Sequence, residues 1–257
     1  MLQDERHQRI LAMLATFGRM STDRIAADLA VSRETVRRDV LELDARGALR
    51  RVHGGVVSIE PPAEPSLGER VLIRQAQKRS IARAAASIVR AGQTLFIDAG
   101  TTVSALAAEL ATLNGLTIIT NSFDVATRIM ATGREDRGHR VFQIGGQVAP
   151  GAAATLGAAA IAAIARYRVD MAMLSPVGID STDGATSFDH DEAEIARAMT
   201  DRADRVVILA DHAKIGQRSR VSYCSPHRID LLVTDMGARD LAELDRLRQL
   251  VGEVIIG

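Results

Sequence analysis

The chain has 257 residues, 47% of them hydrophobic, which is enough for a substantial core and too apolar for a disordered chain; at about 150 residues per domain it suggests one large domain or two unequal ones. Its 32 basic and 32 acidic residues cancel, so no whole-molecule field drives it onto nucleic acid or membrane. A single cysteine, Cys224, excludes an intrachain disulfide and any metal site built from several thiolates, and no cofactor is implied.

The amino terminus, MLQDERHQR, is charged where a secretion signal needs an apolar stretch. The longest apolar runs, such as Gly157–Ala165, are about half a membrane span. A cytoplasmic protein without membrane association is the expectation. In chain order, the first pattern is helical. Ile10, Leu11 and Leu14 give one apolar face to a helix ending near Gly18. Ser21 caps a second helix, with Ile25 and Leu29 four apart. Ser32 caps a third, with Val36, Val40 and Leu43 on one face and Gly47 closing it. Leu49–Ile59, LRRVHGGVVSI, reads as two short strands around a Gly54–Gly55 turn of type I′. EPPAEPSLG, Glu60–Gly68, holds three of the six prolines and has linker composition. The expected organisation is therefore a domain over 1–59, a linker over 60–68 and a second domain over 69–257.

Beyond the linker, strands and helices alternate. Strand-like runs are Thr94–Asp98, Leu116–Asn121, Val141–Gly145, Val169–Ser175, Val206–Asp211, Leu231–Asp235 and Glu253–Ile256. Helical segments are Lys78–Arg90, Val103–Leu110, Asp124–Met130, Ala158–Arg166, Glu192–Arg202 and Leu241–Val251. Several strand runs are apolar throughout, as strands buried on both faces are, which predicts an α/β domain with a mostly parallel sheet.

Met20 to Asp39 has the form of a helix-turn-helix, whose second helix enters the major groove of duplex DNA. In VSRETVRRDV the positions opposite Val36 and Val40 are Arg33, Glu34, Thr35, Arg37 and Arg38. Arginine matches guanine edges and phosphate, and the Ser32 region offers backbone N–H groups to a phosphate. The hairpin carries Arg50, Arg51 and His53, placed as a wing along the DNA backbone. Charge alone does not argue for DNA, since Ser32–Gly55 has six arginines against four acids; a solvated helix face accounts for that balance equally well. Spacing decides. Arg6-x3-Ile10-x3-Leu14-x17-Ser32-x2-Thr35-Val36-Arg37-Arg38-Asp39-Val40, followed by LRRVHGG, resembles the DeoR family of bacterial transcriptional regulators.

In open parallel sheets ligands bind beyond the carboxyl ends of the strands. There this sequence places Asp98, Gly100, Thr101 and Thr102; Thr120, Asn121 and Ser122; Gly145 and Gly146; the SPVGID loop; and Asp211 with Lys214. Gly100, the two threonine hydroxyls and a helix start suit a phosphate, with Lys214 supplying charge. Asp98, Asp211 and Glu192 are acceptors for sugar hydroxyls, which makes a phosphorylated polyol or sugar the expected ligand. Only Lys78 and Lys214 among the 32 basic residues are lysine, so either is a candidate for a place where a compact ammonium is wanted. Loop bracing by Asp98 and Asp211, and a plain turn at Gly145–Gly146, are the bland alternatives. His139, His212 and His227 lack metal-ligand spacing and Cys224 reads as a packed apolar residue, so no metal and no catalytic residue is assigned.

The resemblance continues through LFIDAGTT, TNS, IGG, GID with Gly184 after it, DEAEIARAM and ADHAKIG. It implies a winged helix-turn-helix joined to a Rossmann-like α/β sensor domain similar in fold to ribose-5-phosphate isomerase. It further implies that a phosphorylated sugar-pathway intermediate binds the sensor and changes DNA affinity. Within the family, TSFDHDEAEIARAM is most similar to the glycerol-3-phosphate regulators. SPVGID departs from the family's more usual Gly-x-Asp/Asn/Ser-Gly-Ile-Asp, putting Ser175 and Pro176 into a pocket loop and leaving the effector's identity open. The leading expectation is a repressor of a sugar or polyol operon, a homodimer or homotetramer on an operator with paired half-sites. The alternative is a sugar-phosphate isomerase fused to a DNA-binding module, in which Asp98, Asp211, Glu192 and Lys214 supply acid–base groups.

Overall fold

The structure, a computed structural model, describes residues 2–52, 54–58, 67–131, 137–149, 151 and 153–257. They form two compact units, Met1–Glu69 and Arg70–Gly257. The first holds α1 (Gln3–Phe17), β1 (Arg19–Ser21), α2 (Thr22–Leu29), α3 (Arg33–Ala45), β2 (Arg50–Val52) and β3 (Gly55–Val57). The expected caps are present: Ser21 Oγ accepts the Arg24 N–H at 3.2 Å and Ser32 Oγ accepts the Thr35 N–H at 3.1 Å. Ile10, Leu14, Ile25, Val36, Val40 and Leu43 meet Met20, Leu49 and Val56 in one core.

Strand β1 has no counterpart in the sequence reading. It pairs with β3, giving the order β1-β3-β2. The register sets Val52 opposite Gly55, so Gly55 belongs to the strand and not to the turn expected at Gly54–Gly55. Glycine is needed there because β1 approaches closely: a Cβ would lie 2.3 Å from the Met20 carbonyl oxygen. His53 lies outside the described residues, as does most of the expected linker; its last two residues, Leu67 and Gly68, instead begin α4 (Leu67–Leu72).

The larger unit continues with α5 (Gln75–Ala86), β4 (Thr94–Ile97), α6 (Thr101–Leu110), β5 (Thr117–Thr120), α7 (Phe123–Met130) and β6 (Arg140–Gln143). Next come a hairpin of β7 (Gln147–Ala149) and β8 (Ala154–Leu156), α8 (Ala158–Ile164), β9 (Val169–Leu174), β10 (Gly178–Asp180), β11 (Gly184–Ser187) and α9 (His190–Asp201). It closes with β12 (Ala203–Leu209), β13 (Val221–Cys224), β14 (Leu231–Thr234), α10 (Ala242–Arg248) and β15 (Glu253–Ile256). The seven expected strands form one parallel sheet in the order β15-β14-β12-β9-β4-β5-β6.

Each central strand is apolar on both faces because both are covered. Phe96, Ala172, Leu174, Val206 and Ile208 pack on one side with Ala160, Ile164, Ala193, Met199 and Leu244. Leu95, Ile97, Met171, Met173, Val207 and Leu209 pack on the other with Ile81, Ala85, Val103, Leu106 and Ile129. Two antiparallel additions fall outside the expected pattern: the β7–β8 hairpin and a three-stranded sheet β10-β11-β13. The chain runs outward from β4 through β5 to β6, then returns to β9 on the other side of β4. Open α/β sheets bind ligands at such a reversal, here beyond the carboxyl ends of β4 and β9.

Candidate functional site

In the first unit, Arg33, Glu34, Arg37 and Arg38 are exposed along α3, and Arg50 and Arg51 are exposed on β2. Arg33 pairs with Asp23 at 3.0 Å and Arg37 with Glu34 at 4.0 Å. Exposed pairs of this kind are weak and readily exchanged for a phosphate or a base edge. Ser32, Thr35 and Arg38 line a polar recess at the start of α3 together with Gln3, Arg6, Glu34 and Asp39. Ser32 Oγ and Thr35 Oγ1 lie 2.8 Å apart, so the cap is itself braced.

Two residues of the family-like spacing, Arg6 and Asp39, carry a structural role. Asp39 is buried on α3 and takes a two-pronged bond from Arg6 of α1, with Nε at 2.5 Å and Nη2 at 2.8 Å, while His7 Nε2 stands 3.2 Å away. Burial alone would raise the Asp39 carboxyl; the Arg6 and His7 bonds outweigh it and hold it below its usual value. Arg6 therefore locks α1 to α3. Asp39 is neutralised inside the fold, which leaves the exposed face of α3 more basic than its composition.

In the larger unit, Asp98 follows β4, beside that reversal. Its Oδ1 accepts the Ala99 N–H at 2.7 Å. Burial pushes this carboxyl up to about 7, against the opposing effects of the Ala99 N–H and the Asn121 side chain. Gly100 is the N-cap of α6 and supplies no capping side chain, so nothing of its own covers the first-turn N–H groups. A Cβ on Gly100 would stand 3.9 Å from Ser175 Cβ, which places the β4 and β9 loops against each other. Lys214 reaches the same loop, donating to Ser175 Oγ at 2.9 Å and to the Pro176 carbonyl at 2.5 Å. The two residues that depart from the family pattern are thus the ones that hold this ammonium.

The remaining expected residues divide. Thr102 is fully buried, and its Oγ1, like Asn121 Oδ1, has no hydrogen-bond partner among the described residues. Thr101 is half-buried at the start of α6. Thr120 Oγ1 accepts the Ser122 N–H at 3.0 Å and Ser122 caps α7, so both hydroxyls serve the backbone. Gly146 lies against β8, where a Cβ would fall 2.6 Å from the Leu156 carbonyl oxygen; Gly145 faces open space. Glu192, in the first turn of α9, takes a 3.5 Å contact from Ser187 Oγ. Asp211 Oδ1 accepts the Ala213 N–H at 3.1 Å and lies 3.8 Å from Arg74 Nε. It is a loop brace and counter-ion as much as an acceptor.

The sequence reading missed Tyr223. Ala185 pairs with Cys224 but Thr186 pairs with Ser222, so Tyr223 is the extra residue of a bulge, a device that re-aims a side chain. Its hydroxyl is buried without a partner among the described residues, and burial, then the nearby Asp98 charge, raise its pKa well above the usual value. His139 Nδ1 accepts the Leu116 N–H at 3.2 Å, His212 Nδ1 lies 2.9 Å from Asp235, and burial pushes the Cys224 thiol up to about 12. Among the described residues no helix is long and apolar enough to cross a membrane, and no His/Cys/Asp/Glu group is placed to hold a metal ion.

A winged helix-turn-helix followed by an α/β unit with polar residues gathered beyond its strands is the form of a DNA-binding transcriptional regulator with a sensor domain. Residues 6–62 match the DeoR-like helix-turn-helix domain, and residues 73–236 match the DeoR C terminal sensor domain. The chain belongs to the DeoR family of transcriptional regulators. It is 32% identical over 235 residues to the glycerol-3-phosphate regulon repressor of Escherichia coli (strain K12), covering 91% of this chain and 92% of that one. It is 33% identical over 237 residues to the HTH-type transcriptional repressor GlcR of Bacillus subtilis (strain 168), covering 91% and 89%. Among solved structures, ribose 5-phosphate isomerase A from Methanocaldococcus jannaschii aligns with a TM-score of 0.39 at 16% identity, over 55% of this chain and 54% of that one.

Proposed function

We propose that this regulator represses a sugar or polyol operon in the cytoplasm and leaves its operator when a phosphorylated polyol or sugar enters the crevice beside Asp98. The observation that carries the reading is the pair of buried oxygens there, Thr102 Oγ1 and Asn121 Oδ1, without a partner among the described residues and next to a carboxyl that burial has pushed up to about 7. Unpaired buried polar atoms are costly, and a ligand's hydroxyls satisfy them. The phosphate lies at Gly100–Thr102 and Lys214, where first-turn N–H groups and an ammonium meet. Asp98, Glu192 and Asp211 then face the hydroxyls. Ser32, Arg33, Thr35, Arg37 and Arg38 read the major groove, and Arg50, Arg51 and His53 follow the backbone. Paired half-sites require a homodimer or homotetramer assembled through the sensor domain, residues 69–257.

Asp98 near neutrality is also what a general acid–base needs, which is the one observation favouring an isomerase reading. Membership of a regulator family supports binding without turnover. The test is selection of duplexes from a random pool by the purified chain, then competition of the selected site with phosphorylated and unphosphorylated polyols and sugars. Repeated half-sites, released by a phosphorylated member alone, are expected. Conversion of a sugar phosphate at a rate that Asp98→Asn abolishes would replace this reading by the enzymatic one.

A further inference from the structure

The face of the parallel sheet that carries Phe96 and Ile119 ends in polar groups. Asp98, whose N–H donates to the Met173 carbonyl at 3.3 Å, stands two residues beyond Phe96 and so on the same side. Asn121 stands likewise two residues beyond Ile119. The antiparallel sheet β10-β11-β13 packs over this face: Ala185, Tyr223 and Cys224 share one core with Phe96 and Ile119. Tyr223 is 6% exposed, and its hydroxyl has no hydrogen-bond partner among the described residues, Asp98 included, although the Asp98 charge reaches it. Packing alone does not call for that hydroxyl, because phenylalanine would supply the same ring without a stranded polar atom. A phenol O–H donates and a carboxylate accepts. One ligand hydroxyl can accept from the first and donate to the second, which neither a carbonyl oxygen nor a methylene can do.

We propose that Tyr223 is a specificity-determining residue of the effector site: its hydroxyl donates to one hydroxyl of the bound polyol or sugar, and that hydroxyl donates in turn to Asp98. The inference rests on the effector reading above and adds a residue from β13, outside the loops that follow the strands of the parallel sheet. Its place in the bulge frees Tyr223 from the strict alternation of the β11–β13 ladder. A site built to pair a ligand hydroxyl rejects the analogue that lacks it, because its own buried polar groups are then left unpaired.

The chain's two tyrosines are Tyr167 and Tyr223, and it has no tryptophan, so near-ultraviolet absorption reports the phenols directly. The full chain is titrated at pH 8, above the Asp98 value of about 7, so that the carboxylate is an acceptor. The probes are the monophosphates of glycerol, ribose and glucose, each beside the analogues that lack one hydroxyl. Affinity and difference absorption are followed together in the wild type, Tyr223→Phe and Tyr167→Phe. The wild type should prefer its best ester to at least one deoxy analogue by about tenfold or more. Tyr223→Phe should weaken that ester severalfold, leave the analogue unchanged, and so cut the preference by the same factor. Binding should move the tyrosine band to longer wavelength, as a phenol donating a new hydrogen bond does, in the wild type and Tyr167→Phe but not in Tyr223→Phe. A role in packing alone would weaken ester and analogue alike. A preference in Tyr223→Phe within about twofold of wild type, or no band shift in Tyr167→Phe, overturns the inference, and the effector reading stands as long as an ester binds. If the wild type binds none of the esters, both fall. Should Tyr223→Phe fail to fold, the band shift in Tyr167→Phe decides.

Discussion

Lys78→Met should make the sensor unit more stable at neutral pH. The fall of this ammonium from 10.5 to about 8 corresponds to about 3 kcal/mol of folding free energy lost in the protonated form. Methionine fills nearly the same volume without the charge, but it forfeits the bond to the Arg70 carbonyl, worth about 1–2 kcal/mol. The net gain at pH 7 is about 1–2 kcal/mol. Because the folded value lies below the unfolded one, the unfolded chain binds the extra proton between pH 8 and 10.5, and wild-type stability rises with pH across that window. The advantage of Lys78→Met should therefore be full below pH 8, shrink as pH rises, and reverse near 10.5, where a neutral lysine keeps its hydrogen bond. Urea unfolding of the full chain followed by circular dichroism, at pH 7 and pH 9.5, measures the difference. A variant less stable than wild type at pH 7, or a difference independent of pH, would refute the reasoning. A residue kept at a cost to stability points to function, since active sites trade one for the other.

Other consequences follow from single contacts. Arg38→Ala should weaken operator binding and relax discrimination at a base position, by about 1–3 kcal/mol if it makes a bidentate base contact. Arg50→Ala should weaken binding to all duplexes and flatten the salt dependence, measured by anisotropy across a salt series. Gly55→Ala should push β1 from β3, because its Cβ falls 2.3 Å from the Met20 carbonyl, and reduce DNA binding while leaving effector affinity intact. Tyr223→Phe removes a buried hydroxyl that has no partner among the described residues, so stability should hold or rise slightly while effector affinity falls severalfold. Unchanged affinity there would remove Tyr223 from the pocket.

What the sequence made legible follows from how each element is buried. The seven parallel strands could be read because covering both faces makes them continuous apolar runs, as in Val206–Leu209. The winged unit could be read because Ser21 and Ser32 cap helices whose apolar residues recur at helical spacing. The short antiparallel pieces could not. β10, β11 and β13 hold three or four residues each, and Ala185 finds Cys224 across a long stretch of chain. Their Gly, Ala, Ser and Thr carry no periodic signal. Tyr223 was hidden for that reason, since a bulge is a property of pairing and not of one strand. The rarity of lysine was visible, but that Lys214 acts on the charge of Lys78 was not, because the two are far apart in the chain.

The central claim is that the crevice holding Lys214 governs the DNA-reading unit without itself reading DNA. Fluorescence anisotropy of a selected operator, titrated with the best phosphate ester, tests it by comparing the wild type with Lys214→Ala. The account predicts equal operator affinity for the two without the ester, and release of the wild type at ester concentrations at which Lys214→Ala stays bound. Release of both at the same ester concentration would contradict it.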